Sequence, residues 1–385
     1  MLVHAPAELC RATAEALAAA PPAPPILVGF DAFLDDIVDV VARRQGPGRY
    51  ERVPTIADFG QKILAAAGHS AGIGAVKRLT KLGGNGPIMA GALLAQGAPL
   101  TLIGPLGQPL HPVFQPLAER ARVISLGEPA VTTALEFADG KIMLNFSDPL
   151  DAVDEQRVLA ACGGEAGFAA LCREARAIAT VNWSQLPAMD GIWRCLAGIL
   201  RRLGHRPLLF VDLADPHRRP VEELRAGLAL LGELASCAEV VLSTNGNECR
   251  QLCRAYDVAY PERAPAWEAA RQACAQLRDR LGVARVACHL VDCSAEAGPD
   301  GSLGQPGFFE PQPLLTTGAG DHYNAGYLLG LLAGLPPAQR LTLGAATSAC
   351  YVASGRSPAR AELVSWLRQA ADRSQAGPPA AGAAG

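Results

Sequence analysis

The chain has 385 residues, of which 50% are hydrophobic and 18% charged, with a formal net charge of −3. Such a chain can bury a large core, and one large α/β unit with an accessory lid fits its length. The near-neutral balance leaves no basic footprint for nucleic acid or an anionic membrane, so the expected partner is a small neutral or polar molecule. The eleven cysteines fall at irregular spacings with no Cys-x-x-Cys pair, and Cys249 and Cys253 stand one helical turn apart, a packing spacing more often than a ligating one. Reduced, mostly buried thiols in a cytoplasmic protein are expected. Residues 1–20 carry Glu8 and Glu15 and no basic stretch, unlike a signal peptide, and no apolar run reaches the roughly 18 residues of a membrane span.

In chain order, Pro21-Pro22-Ala23-Pro24-Pro25 breaks any preceding helix and marks the entry to the folded unit, leaving residues 1–24 as an extension. Ile26-Leu27-Val28-Gly29 then reads as a short buried strand. Similar runs follow at 100–103, 177–181, 208–211, 240–242 and 286–291, separated by helical stretches at 88–96, 189–203, 220–234 and 264–281. Apolar strands alternating with helices predict a mostly parallel sheet covered on both faces. Two segments leave that rhythm. Residues 131–137 and 141–146, joined by Asp139-Gly140, read as a hairpin. Residues 38–81, rich in Gly, Arg and Ala, do not read as sheet. Together they are expected to form a small lid over the ligand edge. The unit is expected to end near residue 370, with 371–385 an irregular tail.

The chemistry-bearing segments follow the same order. In Gly29-Phe30-Asp31-Ala32-Phe33-Leu34-Asp35-Asp36, Asp31, Phe33 and Asp35 share a face if the segment is extended. Two carboxylates there can hold a polyol with Phe33 as an apolar wall; an acidic surface loop is the alternative. Gly83-Gly84-Asn85-Gly86-Pro87 opens a helix, where Gly84 allows close approach of a hydroxyl and Asn85 both donates and accepts, or simply makes a turn. In Ser243-Thr244-Asn245-Gly246-Asn247-Glu248, Asn245 and Glu248 share a helix face and could hold a hydrated Mg²⁺; a capping box is the alternative. Finally Thr316-Thr317-Gly318-Ala319-Gly320-Asp321 leads into an apolar helix. Free amides at a helix start make an anion site, and a carboxylate beside them is suited to taking a proton from an attacking hydroxyl. A capped helix after a glycine turn is the plain alternative.

Taken together and in this order, these stretches resemble the ribokinase, or PfkB, family of carbohydrate and nucleoside kinases over about residues 26–366. The resemblance implies a ribokinase-like, doubly wound α/β fold and an ATP- and Mg²⁺-dependent transfer of a phosphoryl group to an alcohol. It implies Asp321 as base, and Gly318, Ala319 and Gly320 as the anion cradle with Thr317 beside the nucleotide. Asn245 and Glu248 are placed on the metal and nucleotide side, and Asp31, Asp35, Gly84 and Asn85 on the acceptor. Asp212-Leu213-Ala214-Asp215-Pro216-His217-Arg218 is similar to a family segment near the triphosphate. The chain departs from the family at Ile88, often Asn, and at His289-Leu290-Val291-Asp292-Cys293, which stands where a Thr-x-Gly-x-x-Gly stretch lines the nucleotide phosphates.

The expected activity is phosphorylation of a small sugar, a nucleoside being the alternative acceptor. A homodimer is left open. A non-catalytic ligand-binding regulator on the same fold is the rival of another class, supported only by the altered nucleotide strand. No Gly-x-x-x-x-Gly-Lys occurs, and no Gly-x-Gly-x-x-Gly follows the first strand, which argues against P-loop kinases and dinucleotide dehydrogenases.

Overall fold

The computed structural model describes residues 1–376. Its centre is a nine-stranded sheet in the order Gly301–Pro306, Cys293–Gly298, Arg285–His289, Glu239–Asn245, Leu208–Asp212, Ala177–Val181, Ile26–Gly29, Leu100–Gly104 and Arg122–Ser125. From Arg285–His289 to Arg122–Ser125 every neighbouring pair is parallel. The two strands beyond Arg285–His289 are antiparallel.

The apolar runs form buried strands because both faces are covered. Leu27, Ile178, Leu209, Val240 and Val286 pack on one side with helices Met189–Leu203, Val221–Leu234 and Ala266–Leu281. Their alternates Val28, Ala179, Phe210, Val241 and Ala287 pack on the other with helices Asn85–Ala95 and Ala319–Leu332. This period of two, repeated strand by strand, is what a doubly wound sheet requires. Helix Ala319–Leu332 is pinned to the sheet's antiparallel end by a buried network. Tyr327 donates to Glu296 Oε2 at 2.7 Å, and Arg340 Nε donates to the same atom at 2.8 Å. Such a buried ion pair fixes geometry more than it adds stability.

The lid expectation needs correction in its composition. Residues 38–81, not read as sheet, hold the strands Phe33–Gly46, Arg49–Arg52 and Ala75–Gly83 around helix Ile56–Ala65. With the hairpin Ala130–Phe137 and Gly140–Phe146 they form a separate five-stranded sheet. The long strand Phe33–Gly46 is its spine, pairing with Ala130–Phe137 on one side and Ala75–Gly83 on the other. Frequent charges and glycines hide these strands from a reading by apolar alternation, since most of Ala75–Gly83 is exposed or half-exposed.

The ends also differ from expectation. Strand Leu2–Val3 pairs with Phe308–Phe309, and helix Ala7–Ala19 packs Cys10, Ala14 and Leu17 against Leu363, Leu367 and Ala370. Residues 1–24 therefore belong to the folded body, the Pro-rich stretch being a bend and not an outer boundary. Helix Arg360–Ala376 carries regular structure past residue 370 into the stretch expected to be irregular. The remainder of that stretch lies outside the described residues.

Candidate active site

Five polar groups stand at the carboxyl ends of adjacent parallel strands: His289, Asn245, Asp212, Asn182 and Asp31, in sheet order. In an open parallel sheet this edge is where ligands gather. Helix Ala319–Leu332 begins over the same edge and brings Asp321 in its first turn, while helix Asn85–Ala95 brings Asn85. Asn85 Nδ2 donates to Asp321 Oδ1 at 2.9 Å, so two segments 236 positions apart in sequence are joined at the proposed base.

Asp31 does not face an acceptor as expected. Its Oδ1 accepts Gly86 N–H at 2.7 Å, and its Oδ2 accepts Asn85 N–H at 2.9 Å and Asn182 Nδ2 at 2.8 Å. It is wholly buried, and desolvation pushes its pKa up against those three donors. Its carboxylate therefore holds the glycine turn in shape. Gly84, with φ +90°, caps that helix in a conformation that side chains rarely adopt. Phe33, expected as an apolar wall, is packed into the core. Asp35 lines a cavity of about 270 Å³ together with Lys81, Ile88, Lys141, Thr317 and Tyr351. Burial lifts its pKa to about 6, while the Thr132 hydroxyl and the Lys141 and Lys81 charges pull the other way. The hairpin closes this side, with Lys141 Nζ 2.6 Å from Thr317 Oγ1.

A second, larger cleft of about 610 Å³ lies on the other side of the Thr316–Gly320 turn. It is lined by Asn245, Gly246, His289, Val291, Ala319 and Gly320 among others. The turn itself is held from outside. Tyr351 OH donates to Thr317 O at 2.8 Å, and His322 Nδ1 bonds Gly318 O at 2.7 Å while its Nε2 meets Ser357 Oγ at 2.8 Å. The carbonyl contact assigns the proton to Nδ1, which leaves Nε2 to accept from Ser357. His322 stacks on Tyr351 at 3.6 Å, and burial lowers its pKa to about 4, so it stays neutral. A trans peptide points its N–H opposite to its C=O, so pinning Thr317 O turns Gly318 N–H the other way. Gly318 has φ +88°, and a Cβ there would come within 3.1 Å of Ile88 Cγ2 and the Tyr351 hydroxyl. Of the three expected cradle amides, Ala319 N–H is already bonded to Thr316 O at 3.2 Å. Among the described residues, Gly318, Gly320 and Asp321 N–H have no acceptor. The open amides are therefore Gly318, Gly320 and Asp321.

Asn245 and Glu248 form the capping box that was the alternative to metal binding. Asn245 Oδ1 accepts Asn247 N–H at 2.9 Å and Glu248 N–H at 3.0 Å, and Glu248 Oε2 accepts Asn245 N–H at 2.9 Å. Glu248 Oε1 also takes Asp215 N–H at 3.0 Å. Asp215 in turn gathers His217 at 2.5 Å and Arg218 at 3.7 Å, so the segment similar to a triphosphate loop is largely engaged with itself. Glu248 is nonetheless buried, with its pKa pushed to about 8 by desolvation and by Asp212.

Asp212 is the acid that sequence reasoning underweighted. Asn324 Nδ2 donates to it at 2.6 Å, and Ser243 Oγ donates to Asn324 Oδ1 at 2.7 Å. Its pKa rises to about 6 through burial. Asn182 was missed altogether. The signal for both was available: each is a polar residue at the end of an apolar strand, as Asp31 and Asn245 are.

Asp321 stands in a helix first turn, where the dipole favours a charged carboxylate, yet its surroundings oppose that. Burial, then Asp212, and further Asp31 and Glu248, drive its pKa well above the ordinary carboxylate range, opposed by the Asn85 hydrogen bond. Four carboxylates thus share this edge, and no basic side chain is among the groups that shift them. Among the described residues, no group of three or more His, Cys, Asp or Glu is placed to cage a metal directly.

Two clefts separated by a glycine turn with a buried acid at its foot, over a ribokinase-like sheet, define a phosphoryl-transfer enzyme of the ribokinase/PfkB class. Solved structures of that class share the fold. They include Arabidopsis thaliana ribokinase complexed with ribose and ATP, at 18% identity and TM-score 0.57, covering 90% of this chain and 99% of that one. Adenosine kinase from Sinorhizobium meliloti aligns at 16% identity and TM-score 0.60, covering 91% and 100%. A model of the family described as prokaryotic ketohexokinase matches residues 5–370. A ketohexokinase of Haloferax volcanii is 31% identical over 348 residues, 88% of this chain and 89% of that protein. The chain belongs to the prokaryotic ketohexokinase family and is a carbohydrate kinase. Among the described residues, no helix is long and apolar enough to cross a membrane.

Proposed function

We propose that the enzyme moves the γ-phosphoryl group of ATP to a hydroxyl of a ketohexose, with Asp321 as the general base. The observation that carries this reading is Asp321 itself, buried in the first turn of the helix that follows the turn between the two clefts, and hydrogen-bonded to Asn85. The ketohexose is suggested by the Haloferax volcanii relative. It suits a small acceptor cavity whose charged groups, Asp35, Lys81 and Lys141, can hydrogen-bond hydroxyls.

In this mechanism Asp35 orients the acceptor, and the lid hairpin excludes water that would compete for the phosphoryl group. Gly318, Gly320 and Asp321 N–H stabilise charge on the moving group. A cluster of buried carboxylates without a counter-charge fits a hard cation, and Mg²⁺ needs only one or two of them because it keeps several waters. Asp212 and Glu248, with Asn245 alongside, would hold it, and when bound it supplies neutralising charge to the phosphates. With such a cation there, the repulsion that Asp212 and Glu248 exert on Asp321 would be relieved, which favours the charged carboxylate that can accept the hydroxyl proton.

The test is a comparison of kcat/KM for ketohexoses, aldohexoses and nucleosides with ATP and Mg²⁺, with the product's phosphate position read by phosphorus NMR. A nucleoside preferred over every ketohexose would overturn the acceptor assignment.

A further inference from the structure

At the end of the strand Arg285–His289, the chain lacks the glycine-containing stretch whose backbone would lie along a nucleotide's phosphates. What replaces it is poor in donors. Leu290 and Val291 are apolar, Asp292 is an acid, and all three line the larger cleft. Arg250, the cation lining that cleft, is already engaged by Gly246 O at 3.1 Å and Glu262 Oε1 at 3.2 Å, and lies over the Tyr260 ring.

His289 is the exception. It lines the same cleft and packs against Tyr323 with ring centroids 4.7 Å apart and the rings tilted by 33°. A Cβ built on Gly320 would come within 3.2 Å of its Cε1 and 3.4 Å of its Nε2, so this ring edge lies beside the glycine turn. Among the described residues, neither ring nitrogen has a hydrogen-bond partner, although His322, one turn away on the neighbouring helix, satisfies both of its own. His289 is half-buried, so its ring nitrogens, without a protein partner, are open to a ligand in the cleft. The Gly320 N–H, also without an acceptor, lies on the same side of the cleft.

We propose that His289 is a nucleotide-contacting residue whose imidazole N–H, together with the Gly320 amide, hydrogen-bonds an oxygen of the donor's phosphate chain. The inference rests on the kinase reading above and specifies how this chain holds its phosphoryl donor without the glycine stretch. Burial lowers the pKa of His289 to about 4, so in the empty cleft it is a neutral ring with one N–H. That suffices for a directional bond to an anion. Tyr323 fixes the ring plane, and the small Gly320 leaves the approach open.

The experiment separates donor from shape. His289→Phe keeps an aromatic ring against Tyr323 but removes the N–H, whereas His289→Gln restores a donor without the ring. ADP affinity is measured calorimetrically without acceptor, and the KM values for ATP and for the ketohexose are measured separately. His289→Phe is expected to weaken ADP binding and raise the ATP KM about tenfold, the usual cost of losing a hydrogen bond to a charged group, with the acceptor KM unmoved. His289→Gln is expected to recover most of the ADP affinity. His289→Leu carries the same readout should the phenylalanine variant fail to fold. ADP affinity within twofold of the parent in a folded donor-less variant overturns the proposal, as does a glutamine variant as weak as the phenylalanine one. Because ADP binding needs no turnover, a failed acceptor assignment leaves this result readable.

Discussion

The two clefts beside the Thr316–Gly320 turn are made of different material. The smaller one is walled by side chains from the lid sheet and from the core, with Asp35, Lys81 and Lys141 among them. The larger one is bounded by helix starts, backbone and apolar groups such as Leu290, Pro313 and Val352. On the proposed reading, recognition on the first side works largely through ionisable side chains of a separate sheet, and on the second through amides together with the His289 imidazole at the end of a central strand. Acceptor choice can therefore change with a few lid residues, while much of the donor side is backbone that the fold itself fixes. Asp321 follows the turn that separates the two sides, which makes it the sharpest point at which to break the comparison. Asp321→Asn should lower kcat by at least about 100-fold, the lower end of general-base assistance. ADP affinity should stay near that of the parent, because the cradle amides are untouched. A near-normal kcat would place the base elsewhere.

Asp31 and Asp35 carry the same contrast at closer range. Asp31 is enclosed by three protein donors, so Asp31→Ala would leave Asn85 N–H, Gly86 N–H and Asn182 Nδ2 unsatisfied in the interior. A loss of about 3 kcal/mol or more in unfolding free energy is expected, read from the urea midpoint. Asp35 lines the acceptor cavity, so Asp35→Asn should leave that midpoint nearly fixed and raise the ketohexose KM about tenfold. Reversal of the two phenotypes would return Asp31 to the acceptor and make Asp35 structural.

That reversal was open to a reader of the sequence alone. Spacing puts Asp31 and Asp35 on one face of an extended segment, but extension begins only at Phe33, and nothing local shows that the turn at Gly84 needs a carboxylate behind it. Strands of the central sheet were legible because burial on both faces makes them continuously apolar: Ala177–Val181 and Ile26–Gly29 have the ends expected of them. Lid strands were not, since a sheet with an exposed face and many charges loses that signature, and Ala75–Gly83 also pairs far along the chain with Phe33–Gly46. Asp321 and its turn were legible as a motif. Its raised pKa was not, because Asp212, Asp31 and Glu248 reach it only through the fold. Asn182 carried a weak signal, one polar residue after an apolar strand, which becomes informative only when the neighbouring strands are seen to end the same way.

The smallest expected effect is on stability against pH, and it separates the two sides by where they titrate. Asp35 on the acceptor side is lifted to about 6, and Glu248 on the donor side to about 8. Unfolded carboxyls titrate near 4, so between that value and the folded one the native chain holds more protons than the unfolded chain. Stability from such groups is present at low pH and falls as pH rises, the reverse of a salt-bridged carboxylate. Asp35, with Asp212 at about 6, should act between roughly pH 4 and 6, and Glu248 should carry the decline on to about pH 8, with Asp321 contributing in the same direction. Glu248→Gln keeps a side chain able to serve the capping box but cannot ionise. In the protein without ligands it should flatten the fall in melting temperature between pH 6 and 8 by a few degrees, whereas Asp35→Asn should flatten only the part below pH 6. MgADP should raise the melting temperature more at pH 8 than at pH 6, since it brings a cation to the donor-side acids, while a ketohexose should show no such gradient. Parent protein whose stability rises from pH 6 to 8 would mean that Glu248 is already ionised at neutral pH, and the difference between the two sides would then lie in shape alone.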